Sequence, residues 1–340
     1  MKNNISDSIN TRSGIWGLNK IFPRFNNKGN KVTDPFWVIV NKEIADHIIS
    51  WRFLILVSII ALTCIGSMYT ALTNISNAVS NGNLDDSFLF LKLYTISDGT
   101  LPSYFVFIAF LGPLLGIGLG FDAINSEQNR GTIGRVLAQP IPRDYFINAK
   151  FTASLIVVSI MFFSLSLLVM GIGLISIGIP PTPEEFVRII IFTIAGILYV
   201  GFWLNLSILF SIWFQQPATS ALTSIAVWLF FSVFFSMLVN VVFKVLVPSG
   251  NISLAGEKLR LGILRFAPNQ LFSDITTSIL MPSVRSLGPL TMQQVQGTIP
   301  SPLPVGQSLM LIWPQLIGLV AMTVICFVLS YIVFMRKDMK

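Results

Sequence analysis

Charge is scarce in this chain, and so are histidine and cysteine. Only 11% of the 340 residues are charged, against about 25% in an average soluble domain. His47 is the only histidine, and the two cysteines, Cys64 and Cys326, each lie within an apolar run. This composition excludes a disulfide framework, and it removes most zinc, haem-ligand and Ser-His chemistry.

Nucleotide-binding and catalytic motifs are also missing. The sequence contains no G-x-x-x-x-G-K-[ST] segment, so it has no P-loop with which to bind ATP. The G-x-S-x-G and H-E-x-x-H motifs are absent as well. Its long apolar runs hold almost no ionisable residue, although ion-coupled carriers need such residues despite a cost of about 2.5–3.5 kcal/mol at the bilayer centre. We therefore expect no catalytic residue and no metal site, and a driving force that comes from another protein.

Apolar residues, by contrast, are abundant, at 53% of the chain. A helix crosses the hydrocarbon core with roughly 20 apolar residues, and several runs are at least that long. The sequence predicts an all-α polytopic membrane protein with six transmembrane helices. These lie at about 53–72, 103–120, 151–177, two within 189–243 on either side of a polar segment at 215–220, and 309–334.

The basic residues predict the orientation of these spans. Of 22 Lys and Arg residues, 15 lie in segments that are cytoplasmic if both termini are inside, as the positive-inside rule requires. The formal charge of +7 therefore indicates topology in a cell membrane (plasma or inner) and not nucleic-acid binding. The remaining predicted parts are a basic tail at 1–33, a six-span domain at 53–335 with outside loops at 73–102 and 248–308, and a short cytoplasmic tail at 336–340.

A helix is predicted before the first span, over residues 34–52. Asp34 and Pro35 are typical of a helix start. Its apolar face is predicted to contain Trp37, Val40, Ile44, Ile48 and Trp51, and its polar face Lys42, Glu43, Asp46, His47 and Ser50. This pattern favours an amphipathic helix in the membrane interface. The alternative is a solvent-exposed helix packed on a soluble partner.

The loop at 121–150 is the one well-charged segment between two long apolar runs. Ile133, Val136 and Leu137 recur at helical spacing, and Pro140 ends that short helix. So short a helix cannot bury its apolar stripe alone and needs a partner surface. The alternative is an ordinary positive-inside loop with a solvated charged face.

Three motifs resemble the type-2 permease family of ATP-binding-cassette transporters, the exporter-like class with six spans. They are Asn41-Lys42-Glu43 leading into Ser50-Trp51-Arg52-Phe53, the segment from Glu127 to Ile133 followed by Leu137 to Arg143 and Lys150, and Pro268 to Ser273 before the last span. The resemblance covers about residues 34–340, and its middle motif is the most specific.

The resemblance implies that residues 127–139 form a coupling helix in a groove of a separate P-loop ATPase subunit. That subunit would bind ATP and Mg²⁺, so this chain would bind no cofactor and would not itself be an enzyme. A second, identical permease and an unknown substrate complete the implied exporter. The implied contact residues in the loop are Glu127, Arg130, Gly131, Thr132, Ile133, Val136, Leu137, Pro140 and Arg143. Lys42, Glu43 and Asp46 are implied contacts in the helix predicted at 34–52, which the resemblance identifies as the family's connecting helix.

Two other functions remain open at this point. The chain could be a polytopic membrane enzyme or a lipid-handling protein, with Asp122, Glu127 or Asp274 as its acid-base group. It could also be a scaffold that uses the charged loop to recruit a partner other than an ATPase. Charge reversal at Glu127 or Arg143 is predicted to abolish transport in the permease without affecting folding.

Overall fold

A computed structural model describes residues 34–80, 88–97, 101–131, 142–246, 254–288 and 302–337. All regular secondary structure in these residues is helical. The α-helices are α1 Pro35–Ile49, α2 Trp51–Ser80, α3 Leu89–Thr95, α4 Tyr104–Gly120, α5 Asn125–Asn129, α6 Arg143–Ile177, α7 Pro183–Trp213, α8 Pro217–Leu229, α9 Phe235–Leu246, α10 Leu254–Leu264, α11 Pro268–Leu280 and α12 Val305–Arg336; a π-helical segment, Phe230–Phe234, joins α8 to α9.

Six helical stretches are long and apolar enough to cross a membrane, which confirms the predicted all-α polytopic fold. The six spans are Trp51–Asn77, Tyr104–Asn129, Arg143–Ile177, Pro183–Trp213, Pro217–Val245 and Val305–Arg336. The third begins eight residues before the start predicted at 151, because residues Arg143 to Lys150 are already helical and form its first turns. Asp144 lies in its first turn, where a carboxylate interacts favourably with the helix dipole.

The fourth span, α7, lies at the centre of the bundle. It packs against α4, α6, α11 and α12, and Phe192, Tyr199 and Trp203 along it are almost fully buried. The fifth span is the least buried of the six, with 11% of its most apolar window inside the structure. The bundle therefore has a tightly packed centre, and its fifth span is almost wholly exposed at the edge.

Close contact between α4 and α7 depends on glycine. A Cβ atom on Gly116 would lie 2.7 Å from the carbonyl oxygen of Val200, and one on Gly120 would lie 2.8 Å from that of Leu204. These contacts are with backbone, which cannot rotate away. The glycine-rich stretch of the second span is therefore a site of close helix packing.

Replacing Gly116 with alanine is expected to destabilise the bundle by about 1–3 kcal/mol, the usual cost of overpacking. Gly171 in α6 is the matched control, because nothing lies within 4 Å of a Cβ added there. Thermal unfolding in detergent should show a lower midpoint for Gly116→Ala and an unchanged or higher midpoint for Gly171→Ala. Equal midpoints for both variants would contradict the close packing.

The Pro268 to Ser273 motif forms the start of α11, a helix within the predicted outside loop at 248–308. Its motif residue Asn269 donates a hydrogen bond from Nδ2 to the carbonyl oxygen of Phe231, 3.1 Å away. Phe231 lies in the π-helical segment of the fifth span, where the wider helical repeat changes the register of the backbone carbonyls. The Pro268 to Ser273 motif thus docks α11 on an irregular turn of a span.

The predicted outside loop at 73–102 contains more structure than its polar composition suggested. The first span continues as α2 to Ser80, and α3 then packs against α2, α4, α6 and α7. Phe90, Leu91 and Tyr94 of α3 are buried. The apolar run that forms α3 is too short to be read as a span, yet it fills a gap between several spans.

Candidate functional site

Lys150 lies in the second turn of α6 and is only 4% exposed. Its Nζ atom lies 2.9 Å from Oε2 of Glu43 and 2.7 Å from Oε1 of Glu127. Glu43 belongs to α1 and Glu127 to α5, so one buried ammonium group joins the connecting helix, the start of the charged loop and the third span. We call Glu43, Glu127 and Lys150 the Lys150 junction.

More charged side chains surround this junction. Lys42 lies 3.3 Å from Glu43 and 3.4 Å from Asp46. Arg52 forms an ion pair with Asp122, and its guanidinium lies 5.1 Å from the ring centre of Phe121. The three residues of the Lys150 junction and these four charged side chains all line one cavity of about 740 Å³. This cavity lies between α1, α2, α6 and the end of the second span.

The connecting helix packs on α6 through a face that combines apolar and charged side chains. Val40 and Glu43 are its buried residues, and Val40 packs against Ala149 and Ala153 of α6. Trp37, Ile48 and Trp51 of the predicted apolar face are instead exposed, as suits contact with lipid.

The division of α1 into an apolar and a polar face was therefore wrong for Glu43 and His47, which face the bundle. The reason is the buried charge on Lys150. Leaving this ammonium without a carboxylate partner would cost more free energy than placing a polar side chain on the buried face of α1. Lys42 and Asp46 stay on the exposed side, as predicted.

Charge and burial set the protonation of this helix in opposite ways. Burial opposes the charged form of Glu43, but the ammonium groups of Lys150 and Lys42 together outweigh it and lower the pKa of this carboxyl. The pKa of Lys42 is raised despite partial burial, chiefly by the Glu43 carboxylate. Burial lowers the pKa of His47. Near neutral pH Glu43 is therefore ionised, and the His47 imidazole that lines the same cavity is neutral.

The contact of His47 with Ser154 has the composition of a catalytic pair, at 2.9 Å between Nε2 and Oγ. Ser154 is only 2% exposed, however, because α1 covers it. A substrate carbonyl has no access to that hydroxyl in this arrangement. The pair is a packing contact between α1 and α6.

Each carboxylate considered for an enzyme has a cationic partner, and Asp274 lies apart from the cavity that Asp122 and Glu127 line. Asp122 pairs with Arg52 and Glu127 with Lys150. Asp274 of α11 pairs with Arg265 at 3.0 Å and accepts from Gln270 at 2.8 Å. Within the described part of the chain, no three His, Cys, Asp or Glu side chains come close enough together to hold a metal ion.

The start of the charged loop is fixed to the fourth span. The backbone N–H groups of Ile124 and Asn125 both donate to the hydroxyl of Ser211, at 3.0 and 3.3 Å. Asn129 donates from Nδ2 to the carbonyl oxygen of Gln215 at 3.0 Å. The polar segment at 215–220 is therefore both the predicted turn between spans and a contact for the loop.

The predicted loop residues fall into two groups. Glu127, Arg130, Gly131 and Arg143 are described, whereas Thr132, Ile133, Val136, Leu137 and Pro140 lie outside the described residues. Gly131 has a φ of +66°, a left-handed conformation in which glycine is favoured. Arg130 lines the cavity and is exposed, and Arg143 is the exposed first residue of α6.

Comparison with known families decides the class of the protein. A family model described as ABC-2 family transporter protein matches residues 37–339. The chain belongs to this family. The match extends from the connecting helix through the last span, so this ABC-2 transporter chain is a membrane-spanning transport protein. No curated protein matches the sequence of this ABC-2 chain.

Sequence reasoning on this ABC-2 chain missed two residues of the site. Lys150 was noted only as the last residue of the middle motif and not as a site residue, and Ser211 was not singled out. A signal for Lys150 was present, because a cation adjoining a 27-residue apolar run requires a partner. Nothing in the sequence distinguishes Ser211 from the other serines of the spans.

Proposed function

We propose that this ABC-2 chain is the permease subunit of an ATP-driven exporter, and that a separate P-loop ATPase subunit supplies the energy. The chain would bind no nucleotide itself; ATP and Mg²⁺ would bind to the ATPase. The coupling loop would seat in a groove of that subunit, with both termini of the permease in the cytoplasm. Closure of the ATPase would move the loop and, through it, the spans.

The Lys150 junction is the observation that carries this proposal. A loop can transmit force to a membrane bundle only if its ends are held firmly. Glu127 at the start of the loop and Glu43 of the connecting helix share the ammonium of Lys150, and a buried, hydrogen-bonded ion pair resists separation because its partners would be left uncompensated.

A second route from the loop leads to the centre of the bundle. Ser211 and Gln215 hold the start of the loop at the end of the fourth span. The fourth span packs on six other helices. Displacement of the loop would therefore reach the third span through Lys150 and the bundle centre through Ser211.

A homodimer would complete the transport pathway. The fifth span is 11% buried, the sixth 17% and the first 28% over their most apolar windows, against 67% for the fourth. These three exposed spans leave room for a second copy of the chain to pack beside them. Cross-linking of single-cysteine variants along the fifth span, in a chain with Cys64 and Cys326 replaced, would show a helical periodicity of disulfide-linked dimers; no dimer at any position would contradict this arrangement.

The proposal is tested first by purifying the tagged chain in mild detergent from its native membrane and identifying by mass spectrometry what is bound to it. A P-loop ATPase in near-equal amount supports the exporter. Its loss when Ile133 and Leu137 are both replaced by aspartate would assign the docking helix. A chain that carries no ATPase would favour the scaffold or membrane-enzyme hypotheses instead.

Arg143→Glu is expected to weaken ATPase binding by at least about fivefold, as for an interface residue worth 1 kcal/mol or more. Arg143 is exposed at the start of α6, so its reversal leaves the buried packing intact. The measurement is the ratio of ATPase to permease after purification, together with the thermal unfolding midpoint.

Lys258→Glu in α10 is the matched control, because Lys258 is another exposed cation but lies far along the chain from the loop. Equal loss of ATPase from both variants would mean that total charge, and not this contact, matters. Glu127 is less suitable for this test than the sequence suggested, since its reversal would place two cations together at the junction.

A further inference from the structure

A separate cavity, which we call the groove, opens between the ends of the fourth and sixth spans. Its volume is about 360 Å³, and its lining residues are Trp213, Ile332, Val333, Arg336 and Lys337. It shares no lining residue with the cavity beside Lys150. The proposed ATPase coupling makes no use of it.

One part of this groove is apolar and faces outward. Trp213 is 66% exposed and Ile332 is 40% exposed, both at the ends of membrane spans. Ile332 lies one turn before Arg336 on the same face of α12, because residues four apart are neighbours on a helix. Along the helix axis, apolar surface thus gives way to positive charge within about 6 Å.

The other part of the groove carries two cations. Lys337 donates from Nζ to the carbonyl oxygen of Ile212, one of the last carbonyls of α7 that lack a partner within the helix. This bond holds the ammonium at the rim of the groove. Within the described residues Arg336 is exposed and forms no ion pair, and none of the described residues that line the groove is acidic.

The geometry points to a binding site for one anionic phospholipid in this groove. An acyl chain would lie against Ile332 and Val333, and the phosphodiester would accept hydrogen bonds from Arg336 and Lys337. Trp213 is the last residue of the fourth span, and tryptophan is preferred at span ends because an indole suits the level of the lipid headgroups. A soluble phosphate would satisfy the cations but would leave the apolar part of the groove unused.

The test uses fluorescence quenching of Trp213 by brominated lipid. The full-length chain is reconstituted in vesicles of phosphatidylcholine and phosphatidylglycerol at fixed proportions, with bromine on the acyl chains of one lipid or the other. The signal of Trp213 is the difference between the wild-type chain and Trp213→Phe. Brominated phosphatidylglycerol should quench this signal more strongly than its share of the lipid predicts.

Arg336→Gln should lower the preference for phosphatidylglycerol by about fivefold, because a basic residue near an anionic membrane contributes on the order of 1 kcal/mol. This variant keeps the bond from Lys337 to Ile212. Lys244→Gln is the matched control. Lys244 is an exposed cation near the C-terminal end of the fifth span and does not line the groove, so this variant should leave the preference unchanged.

Two results would overturn the site. Equal quenching by both brominated lipids would mean that Trp213 touches ordinary bulk lipid. Loss of the phosphatidylglycerol preference on addition of millimolar inorganic phosphate, at constant ionic strength, would assign the cations to a soluble anion. Persistence of the preference in phosphate, with its loss in Arg336→Gln, would establish the lipid site.

Discussion

Lys150→Met is expected to destabilise the protein by about 3–5 kcal/mol, the cost of removing one partner from a buried ion pair. The methionine fills most of the volume of the lysine but leaves the carboxylates of Glu43 and Glu127 without the cation that both contact. The connecting helix should loosen from α6. The measurements are thermal unfolding in detergent and hydrogen exchange of the α1 amides, which should become faster.

Lys42→Met is the control for this prediction. Lys42 contacts the same Glu43 carboxylate, but its side chain is 62% exposed. An exposed pair contributes about 0–1 kcal/mol, so the midpoint should change little. Similar losses in the two variants would contradict the central place of Lys150.

Removal of all three junction charges separates the two possible causes of the loss. In the triple variant Glu43→Gln, Glu127→Gln, Lys150→Met, no uncompensated charge remains. Neutral replacement of a buried ion pair is often close to neutral in stability, so most of the stability should return. ATPase coupling should stay impaired in the triple variant, because neutral amides hold the loop less firmly.

The spans could be predicted because their signal is local. A run of about 20 apolar residues crosses a membrane in almost any context, and the polar segment at 215–220 can only be a break. Helix starts at Pro35 and Pro268 were also predictable. Proline suits the first helical position because its φ is already helical and the N–H that it lacks would have no partner within the helix.

The junction could not be predicted because its members are far apart in the chain. Glu43 and Lys150 are separated by 107 residues, and helical spacing alone placed Glu43 on the face of α1 away from the bundle. Only the position of α6 decides which side of α1 is buried. The same holds for Ser211, whose partners, Ile124 and Asn125, are backbone groups of another segment.

Arg188 is the second buried cation whose loss should have a large effect. Its side chain is fully buried in α7, and the guanidinium donates to the carbonyl oxygens of Ile279 and Leu303, at 2.9 and 2.5 Å. It also donates to the hydroxyl of Ser308 at 3.3 Å and pairs with Glu184 at 2.9 Å. One side chain thus joins the end of α11, the approach to the sixth span and the start of the fourth.

Arg188→Met is expected to cost about 3–5 kcal/mol, because two carbonyls, a hydroxyl and a carboxylate lose their common donor. Arg188→Lys keeps the charge, but a single ammonium cannot reach acceptors spread around a planar guanidinium, so its stability should be intermediate. Arg260→Met is the control: Arg260 pairs with Glu257 while 29% exposed, and its loss should cost about 1 kcal/mol or less.

Hydrogen exchange then distinguishes the Arg188 and Lys150 effects by location. Arg188→Met should speed exchange of the amides in α11 and the first turns of α12 and leave α1 unchanged. Lys150→Met should do the opposite, because its partners belong to α1 and α5. If either variant sped exchange throughout the bundle equally, the two cations would be supporting one cooperative core, and neither could be assigned a separate end of the molecule.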